Sequence, residues 1–154
     1  MNMPTDVAIF LQSQYVAIAG ASRTGSGPGA LIAKRLRDAG HTVFLVNPAA
    51  ERIGDEPCYR RLSDVPAHVG SVMVVTTPAA AVEVAKEAAS CGVRALWLHR
   101  SFGEGSVSAE AMDVCRAAGM TVIEGGCPMM YVPPVDLAHR AFRFCLGLSG
   151  RVPK

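Results

Sequence analysis

Charge is scarce in this sequence, and neither sign dominates it. Lys and Arg together number 15, Asp and Glu 13, and the net charge is +2. That balance excludes nucleic-acid binding through bulk electrostatics, and no basic block with interleaved aromatics stands out. Long apolar runs are missing too: none approaches the roughly 18 residues that a membrane-crossing helix needs. No basic segment followed by an apolar one opens the chain. The expectation is a soluble, cytoplasmic protein that binds neither nucleic acid nor membrane. Metal-ligand spacing is also lacking. Cys58, Cys91, Cys115, Cys127 and Cys145 contain no C-x-x-C pair and read as reduced thiols, and the four histidines stand far apart.

What the chain does have is apolar content and glycine. Half of its 154 residues are hydrophobic, enough for one domain with a real core. The stretch that organises it runs from Tyr15 to Ala39. An apolar run, YVAIAGAS, leads into the turn Arg23-Thr24-Gly25-Ser26-Gly27-Pro28-Gly29. A helical pattern follows, with Leu31, Ile32, Leu36 and Ala39 on one side. Strand, glycine turn and helix open a nucleotide-binding βαβ unit. Glycines let the backbone approach a phosphate, and N–H groups at a helix start point at the anion. The spacing is a near miss to G-x-G-x-x-G, with Ser22 in place of the second glycine. The prediction is a phosphate-bearing ligand over Gly20 to Gly29.

Four further strands are expected: Thr42 to Val46, Ser71 to Val75, Val93 to Leu98 and Met120 to Ile123. A short helix, Pro4 to Ser13, precedes the first strand, with Thr5 as its N-cap. Ala49 to Val65 reads as irregular, with Cys58-Tyr59 extended and one turn capped by Ser63. Thr77 caps a helix that Pro78 opens, and Ser106 or Ser108 caps the next. The alternation predicts a Rossmann-like α/β domain covering 1–154, an open parallel five-stranded sheet in the order 3-2-1-4-5 with helices on both faces. Ligand would bind at the carboxyl ends of the strands, at the switch between the first and fourth strand positions. Residues 129–154 form a C-terminal extension. Its helix, Val135 to Leu148, has Leu137, Ala141, Phe144, Cys145 and Leu148 as an apolar stripe and His139, Arg140 and Arg143 as a basic edge.

The second strand ends at Asn47-Pro48, with Glu51 four residues later. An NAD-binding unit would place an acid at the strand tip for the ribose hydroxyls. Its absence counts against NAD. It suits an adenosine that carries an additional phosphate, which a carboxylate would repel. NADP fits the same reasoning.

GASR at Gly20 to Arg23, VNP at Val46 to Pro48, CYRRLSDVP at Cys58 to Pro66, ALWLH at Ala95 to His99 and GGCP at Gly125 to Pro128 stand in order along the chain. In sequence and spacing they resemble the small stand-alone CoA-binding proteins, relatives of the CoA-binding domain in the α subunit of succinyl-CoA synthetase. The resemblance covers roughly residues 10–128. It implies coenzyme A, or an acyl-CoA, as ligand and a non-catalytic carrier, sensor or regulatory role, as a monomer or homodimer. Gly20, Ala21, Ser22 and Arg23, with Thr24 and Gly25 beyond them, would line the diphosphate and nucleotide end. Asn47 and Pro48 would flank the adenine or ribose, and Tyr59 matches an aromatic of the loop after the second strand. Thr76, Thr77 and Pro78 would close over the adenosine. Leu98 and His99 match the fourth strand tip, and Cys127 lies beyond the fifth. Many relatives carry lysine at Ala49 and glutamine at His99, and an Asn or Arg at Gly126; Arg52 or Arg23 would supply the charge missing at Ala49.

Two chemical readings stay open at this point. Cys127, beside a glycine pair at the end of the sheet, is a candidate nucleophile or a partner for a mixed disulfide with the coenzyme thiol; a small buried apolar residue is the alternative. His99 is a candidate phosphate partner or general base. The competing function is an NADP- or other nucleotide-dependent enzyme of Rossmann type, for which the chain has little left to build a substrate pocket.

Overall fold

A computed structural model of the protein describes residues 2–153. A first helix, α1 (Thr5–Leu11), leads to β1 (Tyr15–Ala19), α2 (Pro28–Asp38) and β2 (Thr42–Val46). A small antiparallel pair follows, β3 (Arg52–Ile53) and β4 (Glu56–Tyr59). The chain then alternates through β5 (Ser71–Val74), α3 (Pro78–Ser90), β6 (Ala95–Leu98), α4 (Ala109–Ala117) and β7 (Thr121–Glu124), and closes with α5 (Leu137–Leu148).

The Rossmann-like architecture holds, with two corrections. The sheet has seven strands, not five, in the order β3-β4-β2-β1-β5-β6-β7. The strand at Ser71, expected beyond β2, pairs instead with β1, Val16 to Ala19 against Ser71 to Val74. Its expected place is taken by β4, which lies parallel to β2 through Leu45–Cys58 and Val46–Tyr59. The stretch read as irregular thus supplies the extra pair, in strands of two and four residues. Strands that short carry too little alternation to announce themselves in a sequence.

Side-chain alternation along β1 divides the core. Val16 and Ile18 face α1 and α2 with Phe10, Ile32 and Leu36. Ala17 and Ala19 face α3 and α4 with Val82, Ala85 and Cys115. Buried polar groups find partners: the Ser71 hydroxyl donates to the Phe10 carbonyl at 2.8 Å and lies 2.7 Å from the Ser13 hydroxyl. Trp97, fully buried, meets Phe10 edge-on at 5.3 Å and donates its indole N–H to the Gly125 carbonyl at 2.7 Å. The loop after β7 is thereby pinned to the core.

Two smaller expectations change. Pro4, not Thr5, occupies the N-cap position of α1. The turn at Leu62–Asp64 has Arg61, not Ser63, at its N-cap position. The α5 helix has no buried residue, and Leu137, Phe144 and Leu148 of its apolar stripe are exposed. What fastens this region is elsewhere. Tyr131, Val132 and Val152 are buried, and Arg143 lies over the Tyr131 ring at 4.3 Å while donating to the Asn2 carbonyl. The basic edge is therefore partly structural.

Gly20 marks the sharpest constraint. Its φ is +90°, and a Cβ there would sit 2.6 Å from the Val75 carbonyl oxygen. Gly27 also has positive φ, +83°, but its Cβ would meet nothing within 4 Å. Gly20→Ala is expected to cost about 3 kcal/mol or more, strain and overpacking together. Gly27→Ala is expected to cost less, backbone strain alone without the overlap, on the order of 1–3 kcal/mol. Denaturant unfolding of the two variants checks this, and equal losses would contradict the account.

Candidate functional site

The β1 and β5 strands are neighbours, yet the helices that follow them leave on opposite faces. A crevice opens between their carboxyl ends, as it must at such a switch point. Here it is a cleft of about 610 Å³, lined by Gly20, Ser22 and 26–29 on one side and by Val75, Thr76, His99, Ser101, Phe102, Gly105 and Ser106 on the other.

The first wall is a cradle of backbone and hydroxyls. A turn closes from the Gly25 N–H to the Ser22 carbonyl at 3.0 Å. The hydroxyls of Ser22, Thr24 and Ser26 run in a chain at 2.8 and 2.6 Å. The α2 helix then starts at Gly27 with no side-chain cap and with Pro28, which has no N–H, in its first turn. Its free amides and the positive end of its dipole face the cleft, where an anion would sit.

Asn47 shapes this cradle from outside. Its Nδ2 donates to the Ala21 carbonyl at 2.8 Å, and its Oδ1 accepts from the Ala49 N–H at 2.8 Å. A trans peptide holds C=O and N–H on opposite sides. Anchoring the Ala21 carbonyl therefore fixes the direction of the Ser22 N–H. The side chain expected to flank adenine or ribose is committed to positioning the turn. Pro48 beside it is exposed.

The second wall is held by Ser106, which is 1% exposed. Its hydroxyl accepts from the Thr76 N–H at 2.8 Å and donates to the Thr76 carbonyl at 2.6 Å. One side chain thus satisfies both backbone groups of the residue at the cleft floor. Of the two serines expected to cap the next helix, Ser108 does so, accepting from the Ala111 N–H. Thr77 caps α3 as predicted, directly before Pro78, by accepting from the Ala80 N–H.

His99 stands at the tip of β6, with Nε2 3.3 Å from the Ser101 hydroxyl. Burial holds its pKa below the ordinary 6.5. Among the described residues no carboxylate pairs with it. No Lys or Arg lines the cleft, and Arg23, Thr24 and Gly25 lie exposed at the outer side of the turn.

Of the predicted site residues, Gly20, Ser22, Thr76 and His99 line the cleft and the others do not. Leu98 is fully buried. Tyr59 is half-buried and packs toward Phe44, with ring centroids 6.1 Å apart. Cys127 is 4% exposed within the core that holds Trp97 and Tyr131, and burial pushes its thiol up to about 11. That setting fits the small buried apolar residue better than a reactive thiol. Conversely, Ser101, Phe102 and Ser106 line the cleft without having been singled out as ligand contacts. The loop between β6 and α4 carries no motif, and only its position after a strand tip pointed to it.

Fold and cleft define a Rossmann-like α/β protein with an open crevice at the switch point of its parallel strands. Residues 14–133 match the family model of the CoA binding domain, and the chain belongs to that family. Over 91 residues it is 33% identical to an ADP-forming acetate–CoA ligase, "Acetate--CoA ligase [ADP-forming] II", of Archaeoglobus fulgidus, a match that takes in 58% of this chain and only 14% of the ligase. A conserved hypothetical protein from Pyrococcus furiosus superimposes with a TM-score of 0.61 at 32% identity, over 73% of this chain and 93% of that one. A hypothetical protein from Pyrococcus horikoshii OT3 superimposes with a TM-score of 0.72 at 22% identity, over 82% and 92% of the two chains. No helix among the described residues is long and apolar enough to cross a membrane.

The depressed pKa of His99 has a consequence for stability. The unfolded chain takes up the imidazole proton first, so His99 favours folding fully above pH 6.5 and does so less as pH falls below it. Between pH 7.5 and 5.5 the native chain is expected to lose more stability than His99→Gln, as read by denaturant midpoints. Parallel pH profiles would contradict it.

Proposed function

We propose that this protein holds coenzyme A, free or acylated, in the cleft between the glycine turn and the loop after β6, as a non-catalytic carrier, sensor or regulatory module. The observation that carries the reading is the uncapped start of α2 beside the Gly20 turn, at the switch point of a chain that matches the CoA binding domain. The diphosphate sits against the amides of this start and the hydroxyls of Ser22 and Ser26. The adenosine lies toward the β2 side, over Asn47 and Pro48, and Arg23 at the rim takes a phosphate bidentately. Thr76, with Thr77 and Pro78 at its edge, borders the nucleotide, and His99 donates to a phosphate or pantetheine oxygen.

The non-catalytic reading rests on the cleft chemistry. His99 is its one titratable side chain, and burial is the cause of its lowered pKa, with no acid to orient it. The ligase relative is several times longer, so whatever its other parts do has no counterpart in the aligned 91 residues.

Calorimetry with coenzyme A, dephospho-coenzyme A and NADP tests the proposal. Coenzyme A is expected to bind and NADP is not; the reverse would establish the nucleotide-dependent enzyme instead. Arg23→Ala is expected to lose one charge-assisted contact, on the order of 1.5–3 kcal/mol. If Arg23 meets the 3′-phosphate, the loss disappears with dephospho-coenzyme A. Unchanged affinity for coenzyme A removes Arg23 from the site.

A further inference from the structure

The cleft has two ends, and they differ in chemistry. On the β2 side its wall is the glycine turn, behind which lie Asn47 and Pro48; toward β6 lie Ser101 and Phe102. A diphosphate at the start of α2 sends the two halves of its ligand in opposite directions, nucleotide one way and pantetheine arm the other. The β6 end carries no charged side chain on the cleft surface.

Phe102 is 71% exposed there, and Phe142 of α5, 36% exposed, meets it edge-on with ring centroids 5.3 Å apart at 89°. Neither ring joins the two buried core clusters. The His139 ring lies 6.1 Å from Phe142 and is tied through Nδ1 to the Asp136 carboxylate at 2.7 Å. Two segments far apart in sequence thus bring aromatic rings together in water, at the mouth of the cleft. Packing of the fold does not require it. An apolar group laid across both rings removes their surface from water.

We infer that Phe102 and Phe142 seat the acyl end of an acyl-coenzyme A, so that the site favours thioesters with an apolar acyl chain over free coenzyme A. This rests on the coenzyme A reading given above. The polar end of the cleft then holds the part common to all such thioesters, and the aromatic pair reads the part that varies.

The test is calorimetry on the full chain with coenzyme A, its acetyl, butanoyl and hexanoyl thioesters, and adenosine 3′,5′-bisphosphate. Affinity is expected to rise roughly twofold to fourfold per added methylene, the scale of methylene burial. Phe102→Ala and Phe142→Ala should flatten the series and leave the bisphosphate affinity unchanged, while Phe102→Leu restores part of the slope. A flat series in the native chain overturns the acyl seat and leaves the coenzyme A reading standing. So does an alanine variant that weakens the bisphosphate as much as the hexanoyl thioester. A change of oligomeric state in these variants without a change in the series would assign the pair to contacts between copies. Binding of none of these ligands overturns both readings.

Discussion

The structure depends on how closely two strand tips approach at Gly20. The main chain leaving β1 passes against the Val75 carbonyl with no room for a Cβ and with a φ that other residues avoid. That approach lets the glycine turn fold over the sheet edge. It also places the bare start of α2 beside the end of β5. Backbone amides gather there without any charged side chain in the cleft lining. An anion site of this kind is set by chain path, so its strength rests on the rigidity of the turn and of the opposite wall.

The polar side chains around the cleft supply that rigidity. Asn47 spends both ends of its amide on the turn, and Ser106 spends its hydroxyl on Thr76. Thr77 caps α3. Asn47 was readable at a strand tip and Thr77 and Ser106 as helix caps; Ser106 does not cap, and all three orient backbone. Pre-organised amides lose little freedom when a ligand arrives, and binding gains accordingly.

Much of the fold was legible in the sequence, because β1, β2, β5, β6 and β7 are apolar runs bounded by glycine, proline or helical periodicity. The β3–β4 pair was not, since two- and four-residue strands leave no period to read. Strand order failed at one place for a related reason. Cys58-Tyr59 was read as extended but not counted as a strand of the sheet, so the Ser71 strand was assigned the position that β4 holds. The glycine turn was legible as a turn because Gly20, Gly25 and Gly27 take positive φ. Cys127 stayed open in the sequence because its position past a strand end is local, while burial is a tertiary property. The stripe of α5 was legible as a pattern, but that Leu137, Phe144 and Leu148 stay in water was not. Phe102 carried no pattern at all; its partner ring lies forty residues away in sequence.

The central claim is that the turn after β1 and the start of α2 hold the ligand's diphosphate. Amide-resolved NMR during a titration with coenzyme A tests it most directly. The account predicts the largest shifts at Ser22 to Gly27 and at Gly29 and Ala30, with smaller ones along the loop after β6. Shifts confined to the other face of α2, around Lys34, Arg37 and Gly54 where a second cleft lies, would contradict it.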